Sequence, residues 1–142
     1  MKSSFRLWRI VALVAALAAG SFALAFAVRN EGAAAKAKRM KNPVPPVPAA
    51  LAAGKQSYGD HCEKCHGANG NGRGEKAAEL TVAPSDFTNV QEMGRLADGE
   101  LFEEITKGDL PMPAFEDKLG DEARWQLVDY IRTFASGIAA AP

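Results

Sequence analysis

The 142-residue chain is long enough for one domain with its own core, and too short for two of ordinary size once an N-terminal segment is set aside. Its 17 Lys and Arg balance 17 Asp and Glu, but residues 1–48 hold eight basic residues against one acid and residues 49–142 hold nine against sixteen, so a basic arm of net +7 precedes an acidic body of net −7. Such a body lacks the clustered basic face that phosphate neutralisation needs, which excludes nucleic acid as a partner.

The chain opens on a basic stretch, MKSSFRLWR, followed at residues 10–28 by 19 uncharged, mostly apolar residues. This pattern directs the chain to or through a membrane. As a retained anchor helix the segment spans about 28 Å, close to the thickness of a bilayer core. As a signal peptide it is removed at Ala23-Leu24-Ala25 or Ala25-Phe26-Ala27. The run exceeds the 7–15 residues of a typical signal-peptide core, which favours the anchor over residues 1–28. Taken alone, Arg29, Lys36, Lys38, Arg39 and Lys41 behind the segment would place the body in the cytoplasm.

Residues 29–48 are small, then basic, then proline-rich, with too few large apolar side chains to bury anything, and read as a tether. Its basic half can lie on anionic headgroups at about 1 kcal/mol per charge, or act as a solvated spacer. The run from Asn42 to Pro48 is expected to be extended.

Residues 49–142 show three helical patterns and no period-2 strand, so the class is all-α. The first helix is expected from Ala49 to His61. Gly54 in its interior costs about 1 kcal/mol against alanine, and so marks a close approach of another helix. The second runs from Asp98, as N-cap, through Leu101, Phe102 and Ile105 to Gly108 as the terminating glycine. The third starts at Asp121 with acids in its first turn and carries Leu127, Val128, Ile131 and Phe134 on one face, with Gly137 after it. Between them lie Gly- and Pro-rich loops. So few short helices give a thin core that needs a staple or a cofactor.

The sequence HCEKCH, residues 61–66, holds both cysteines and both histidines of the chain. Cys62, Cys65 and His66 fit Cys-x-x-Cys-His, the pattern for covalent haem attachment. Two thiols three positions apart can each form a thioether to one vinyl group of a porphyrin edge, and the next imidazole reaches the iron. A thioredoxin-type disulfide needs a βαβ context that is missing. A zinc site needs a second ligand cluster, and none is present. A chance pair would form a local disulfide in an oxidising compartment. For a sixth ligand, a thioether favours ferrous iron. Met1 is the start, Met40 lies in the tether and Met93 has no special context. Met112 is held between Pro111 and Pro113 in a stiff loop, and is therefore the candidate. His61 directly precedes Cys62 and reads as a surface residue. Leu80, Val82, Phe87, Leu96, Leu101, Ile105, Leu110, Phe115, Leu127 and Ile131 are the apolar candidates for a pocket wall.

Residues 49–136 resemble class I monohaem cytochromes c. The resemblance rests on Gly54 and Tyr58 ahead of CEKCH, then GANGNGRG, PSDFT, DGELFEEITKG, LPMPAF and WQLVDYIR in that order. It implies three to five short helices wrapped by loops around one covalent haem c. The first and last helices would cross near Gly54, and Tyr58 would pack against the last helix around Trp125 and Tyr130. It also implies His66 and Met112 as axial ligands, with Pro84 or Ala83 offering a carbonyl to the His66 Nδ1 hydrogen. The implied function is a one-electron carrier of a periplasmic respiratory or photosynthetic chain, with no enzymatic activity or small-molecule substrate of its own. The alternative is a cytochrome subunit of a larger membrane redox complex. A sensor or catalytic haem protein with an open site and a thiol oxidoreductase are further rivals. Partners are then redox proteins, with membrane complexes foremost, and the membrane itself if residues 10–28 are retained. The same likeness implies the outer face of the bacterial cytoplasmic membrane, anchored or soluble after cleavage. Unlike the lysine-rimmed carriers of this class, the body is acidic, so a neutral or basic partner face, or an apolar one, is expected.

Overall fold

A computed structural model describes residues 32–136; the apolar segment 10–28, expected as anchor or signal peptide, lies outside the described residues. Among the described residues no helix is long and apolar enough to cross a membrane. Five α-helices and one 3-10 turn follow the helical stretch at 32–39: α1 (Pro48–His61), α2 (Glu63–His66), the turn Ala77–Glu79, α3 (Val90–Met93), α4 (Asp98–Lys107) and α5 (Asp121–Ser136). An isolated bridge between Asp109 and Met112 is the nearest approach to a strand among these residues, in keeping with an all-α class.

Helix α1 begins at Pro48, where a missing N–H costs nothing because the first turn has no acceptor for it. Its buried positions, Ala50, Gly54 and Tyr58, recur every fourth residue and form one stripe. The stripe meets α5 at Gly54. A Cβ there would stand 2.2 Å from the carbonyl oxygen of Gln126 and 2.9 Å from Cβ of Tyr130, so only glycine permits the crossing. On the α5 side Leu127 and Val128 have no solvent exposure and Ile131 is 3% exposed. Full burial of each such side chain contributes about 1.5–3 kcal/mol.

The aromatic residues divide into two groups. Tyr58 packs on Tyr130 and Phe134, with centroids 5.4 and 5.2 Å apart. Trp125, expected beside Tyr58, instead stacks on Phe102 of α4 at 4.1 Å. The reason is helical phase: Trp125 and Tyr130 are five positions apart and so face different neighbours.

Helix α4 presents Leu101, Phe102 and Ile105 to the core and ends at Gly108, with φ of +70°. The capping position is Ala97 rather than Asp98. Glu100 accepts a hydrogen bond from the Ala97 N–H at 2.9 Å, while the Asp98 carboxylate is taken by Nε of Arg132 at 2.8 Å. Arg132 also donates to the carbonyls of Met93 and Leu96 at 2.5 and 2.6 Å, which ties the 93–98 segment to α5.

The proline-rich stretch does more than span. Ala37 is 5% exposed, and its carbonyl oxygen lies 2.1 Å from where a Cβ on Gly99 would stand. Met40 packs on the core. Asn42 donates to the Trp125 carbonyl at 3.2 Å and to Asp129 at 2.7 Å, and accepts from Val44 N–H at 2.9 Å. Composition alone suggests that this stretch buries nothing, but a glycine on the opposing helix lets small side chains and bare backbone dock. The packed unit begins at Ala37.

Gly54→Ala is expected to lower the unfolding free energy by about 1–3 kcal/mol, because the added methyl must displace backbone. An unchanged denaturant midpoint would contradict the crossing. Burial, reinforced by the nearby charge of Asp98 and opposed by the Asn42 hydrogen bond, raises the Asp129 carboxyl to about 6. The folded state then holds this proton more tightly than the unfolded chain, so this group's contribution to stability falls as pH rises from about 4 to about 6. Asp129→Asn should be more stable than the parent at pH 7.5, with the difference fading towards pH 4. Urea midpoints across that range decide it.

Candidate functional site

Helix α1 closes with the Cys62 N–H donating to the Tyr58 carbonyl at 2.8 Å, and α2 restarts one residue later. The Cys65 and His66 amides then both donate to the Cys62 carbonyl, at 3.1 and 2.9 Å. This tight turn holds the two thiols and the imidazole together. It is braced on both sides: the Tyr58 hydroxyl donates to the Gly67 carbonyl at 2.8 Å, and the glycine-rich loop returns to donate from Gly72 to His66 and from Gly74 to Cys65, at 2.9 and 3.0 Å.

The His66 ring is fixed by two contacts. Its Nδ1 lies 3.2 Å from the carbonyl oxygen of Ser85, and the ring stacks on Phe87 with centroids 4.5 Å apart and planes 16° from parallel. A carbonyl accepts only from a protonated Nδ1, so Nε2 carries the free lone pair. The acceptor is Ser85, one residue beyond the expected Ala83 or Pro84. The Pro84 carbonyl is turned instead towards Gly72, 2.5 Å from where a Cβ would stand there. Burial lowers the proton affinity of His66, with the Ser85 bond opposing, so the ring is neutral at neutral pH and able to ligate.

Both cysteines are half-buried. Burial pushes the Cys62 thiol up to about 12, with the neighbouring Cys65 adding to the effect. A dithiol oxidoreductase requires the opposite, a thiolate stabilised near neutral pH. The site is therefore poor in thiol exchange chemistry.

Met112 arrives from the other side. The Met112 N–H donates to the Asp109 carbonyl at 2.8 Å, which closes a turn within the proline loop, and the Phe115 and Glu116 N–H groups donate to the Ile105 and Thr106 carbonyls at 3.1 and 3.2 Å, so the far end of the loop is tied to the last turn of α4. Cys62, His66, Ser85, Glu104 and Met112 are shared by two adjoining lobes of one cleft, and Cys65 lines the outer lobe.

Nine of the ten expected wall residues line this cleft. Leu80, Val82, Leu110 and Phe115 are in the outer lobe, while Phe87, Leu96, Leu101, Ile105 and Ile131 are in the inner one. Leu127 lies behind them, wholly buried in the core. His61 is exposed, and its ring stands 5.8 Å from Phe115 at the edge of the outer lobe. Met93 was given no context by sequence, yet it is 3% exposed and lines the inner lobe. The missed signal is Asn89, whose side chain accepts from the amides of Gln91 and Glu92 and caps a one-turn helix that turns Met93 inward.

Residues 49–131 match the protein family described as cytochrome C oxidase, cbb3-type, subunit III. Among solved structures the chain is similar to the reducing HAO-like protein complex Kustc0457/Kustc0458 of Kuenenia stuttgartiensis, at 31% identity and a TM-score of 0.58. That likeness covers 65% of this chain and 46% of the other, so the chain spans less than half of that protein's length. It is also similar to the KustC0563 c-type cytochrome, at 29% identity and a TM-score of 0.51, over 57% of this chain and 95% of the other. No curated protein sequence matches the chain.

Phe87 supports the imidazole face and is 8% exposed. Phe87→Ala should cost about 3–5 kcal/mol by opening a cavity beside His66, and Phe87→Leu distinctly less. Equal losses in chemical denaturation would mean that refilling the volume recovers nothing, so that the stacked ring and not the cavity sets the cost.

Proposed function

The chain belongs to the cbb3-type cytochrome c oxidase subunit III family, as a class I monohaem cytochrome c, and from that premise we propose that it is a one-electron carrier in which His66 and Met112 would ligate the iron of its covalent haem c. One observation carries the reading: two thiols, an imidazole with a free Nε2 and a thioether line the same apolar cleft. The donor set fits the group, since each residue has the chemistry and protonation that the role requires.

When bound, haem c supplies an iron centre that accepts and returns a single electron. Cys62 and Cys65 would hold it through thioethers, which conserve all atoms because each S–H adds across a vinyl group. His66 presents Nε2 and is held in one orientation through Nδ1 by Ser85, a contact that also raises its basicity as a ligand. Met112 would offer a thioether sulfur from a loop stiffened by two prolines and tied at its far end to α4, and such a ligand would favour the reduced state. The buried side chains of the inner lobe, Leu101, Ile105 and Ile131, would keep water from its floor.

The electron chain served is a respiratory or photosynthetic one on the periplasmic side of a bacterial cytoplasmic membrane, with residues 10–28 as the anchor. The apolar length of that segment supports this reading, and the requirement of haem c attachment for an exported domain supports the side. A second reading, a subunit within a larger membrane redox complex, draws support from the family's description as an oxidase subunit and from the likeness to a component of a reducing complex.

Visible spectra of the full chain matured with haem should show sharp ferrous bands and a low-spin ferric form with the long-wavelength band of thioether ligation. Met112→Ala should abolish that band, shift the ferric iron towards high spin and lower the potential. A low-spin, unchanged Met112→Ala spectrum would falsify the ligand assignment, and a colourless protein would return Cys62 and Cys65 to thiol chemistry.

A further inference from the structure

The mouth of the cleft combines two features that composition does not place together. Its rim exposes large apolar side chains, with Leu110 88% and Val82 59% exposed, beside Pro111 and Pro113. Solvent-facing leucine and valine at the opening of a site mark an interaction surface rather than a core. The charged residues that line the cleft are of one kind. Glu104 and Asp109 belong to the outer lobe, Asp86 and Glu92 to the inner, and neither lobe is lined by a lysine or an arginine. The cations beside it are offset or few: Lys107 is paired with Glu116 at 2.5 Å, Lys118 lies over the Phe115 ring at 5.4 Å, and Arg73 acts on Asp86 of the inner lobe, away from Glu104 and Asp109.

We propose that this rim docks a redox protein whose own electron-transfer face has an apolar centre surrounded by lysine and arginine. The inference rests on the carrier reading above and adds the chemistry of its partner. Leu110 and Val82 would supply the dry contact. Glu104 and Asp109, next to them, would set orientation and speed encounter, since an anionic rim guides a cationic face over a Debye length of about 10 Å at 0.1 M salt. The remaining acids of the body contribute overall attraction, whereas these two fix which face is presented.

The test follows oxidation of the ferrous full-length protein by stopped flow, with two blue-copper proteins as probes, one with a basic face and one with an acidic face. At low salt the basic probe should react about tenfold faster than the acidic one, and the contrast should collapse at high salt. Glu104→Gln/Asp109→Asn should remove most of that contrast. A control with the same charge change, Glu75→Gln/Glu122→Gln, alters two exposed acids that line neither lobe and should leave most of it. Leu110→Ser should slow the basic probe at every salt concentration. The proposal is overturned if the two double variants act equally, if the acidic probe reacts as fast as the basic one, or if Leu110→Ser changes nothing. Spectra of the same samples separate this from the carrier reading: absence of haem c would defeat the latter, whereas a normal spectrum with any of those three kinetic results defeats only the docking surface.

Discussion

Everything at the site depends on the contact between the backbone of α1 at Gly54 and the backbone of α5 at Gln126. At that separation there is no room for a side chain, so the two helices cross through their main chains and the larger residues on either side close round the crossing. Tyr58, one turn further along α1, is thereby pressed between Tyr130 and Phe134 at 1% exposure. Its hydroxyl points out of that sandwich to the Gly67 carbonyl, directly behind His66. Helix crossing, aromatic packing and ligand placement are thus consecutive links in one chain. Burial raises the Tyr58 phenol far above its ordinary range, so the hydroxyl is protonated and a donor at neutral pH.

The opposite wall is built differently. Met112 comes from a loop with no helix of its own, and its position derives from a turn closed on Asp109, from the bonds of Phe115 and Glu116 to the last turn of α4, and from two prolines that restrict its neighbours. Helix α4 is in turn located by Phe102 on Trp125 and by Arg132, which bonds to Asp98 and to two carbonyls ahead of it. Helix α5 therefore serves both walls: its face towards α1 sets the imidazole, and its face towards α4 sets the thioether loop. A motion of one wall relative to the other must strain the same helix, which suits a centre that gains and loses an electron with little rearrangement.

Much of this was legible in the sequence because the informative residues are chemically singular. Gly54 inside an otherwise good helix has few explanations, and a methionine between two prolines cannot be helical packing. The readings that failed concern neighbours whose identity is set by tertiary geometry. The acceptor for His66 is a main-chain carbonyl, and any residue of the 83–85 loop offers one; only the turn of Pro84 towards Gly72 selects Ser85. Asp98 has the composition of a cap, but a cap can be outbid by an arginine 34 positions away. The docking of residues 37–44 is invisible in the sequence because it rests on backbone against a glycine of a distant helix and on one amide side chain, and hydropathy records neither.

The division of charge has a structural counterpart. The basic residues of the arm, Lys36, Lys38, Arg39 and Lys41, are exposed, and among them only Lys38 approaches an acid, Glu100 at 3.8 Å, too exposed and too distant to contribute much. What holds this stretch to the body is neutral: Ala37 against Gly99, Met40 on the core, and the Asn42 hydrogen bonds. Opposite charges within one chain would ordinarily be read as the cause of their association. Here the attachment uses packing and an amide, which leaves the positive charge free to meet an anionic surface and the carboxylates of the cleft free to meet a cationic one. Since salt screens charge and leaves apolar packing in place, the attachment of this stretch does not depend on the ionic strength around the body.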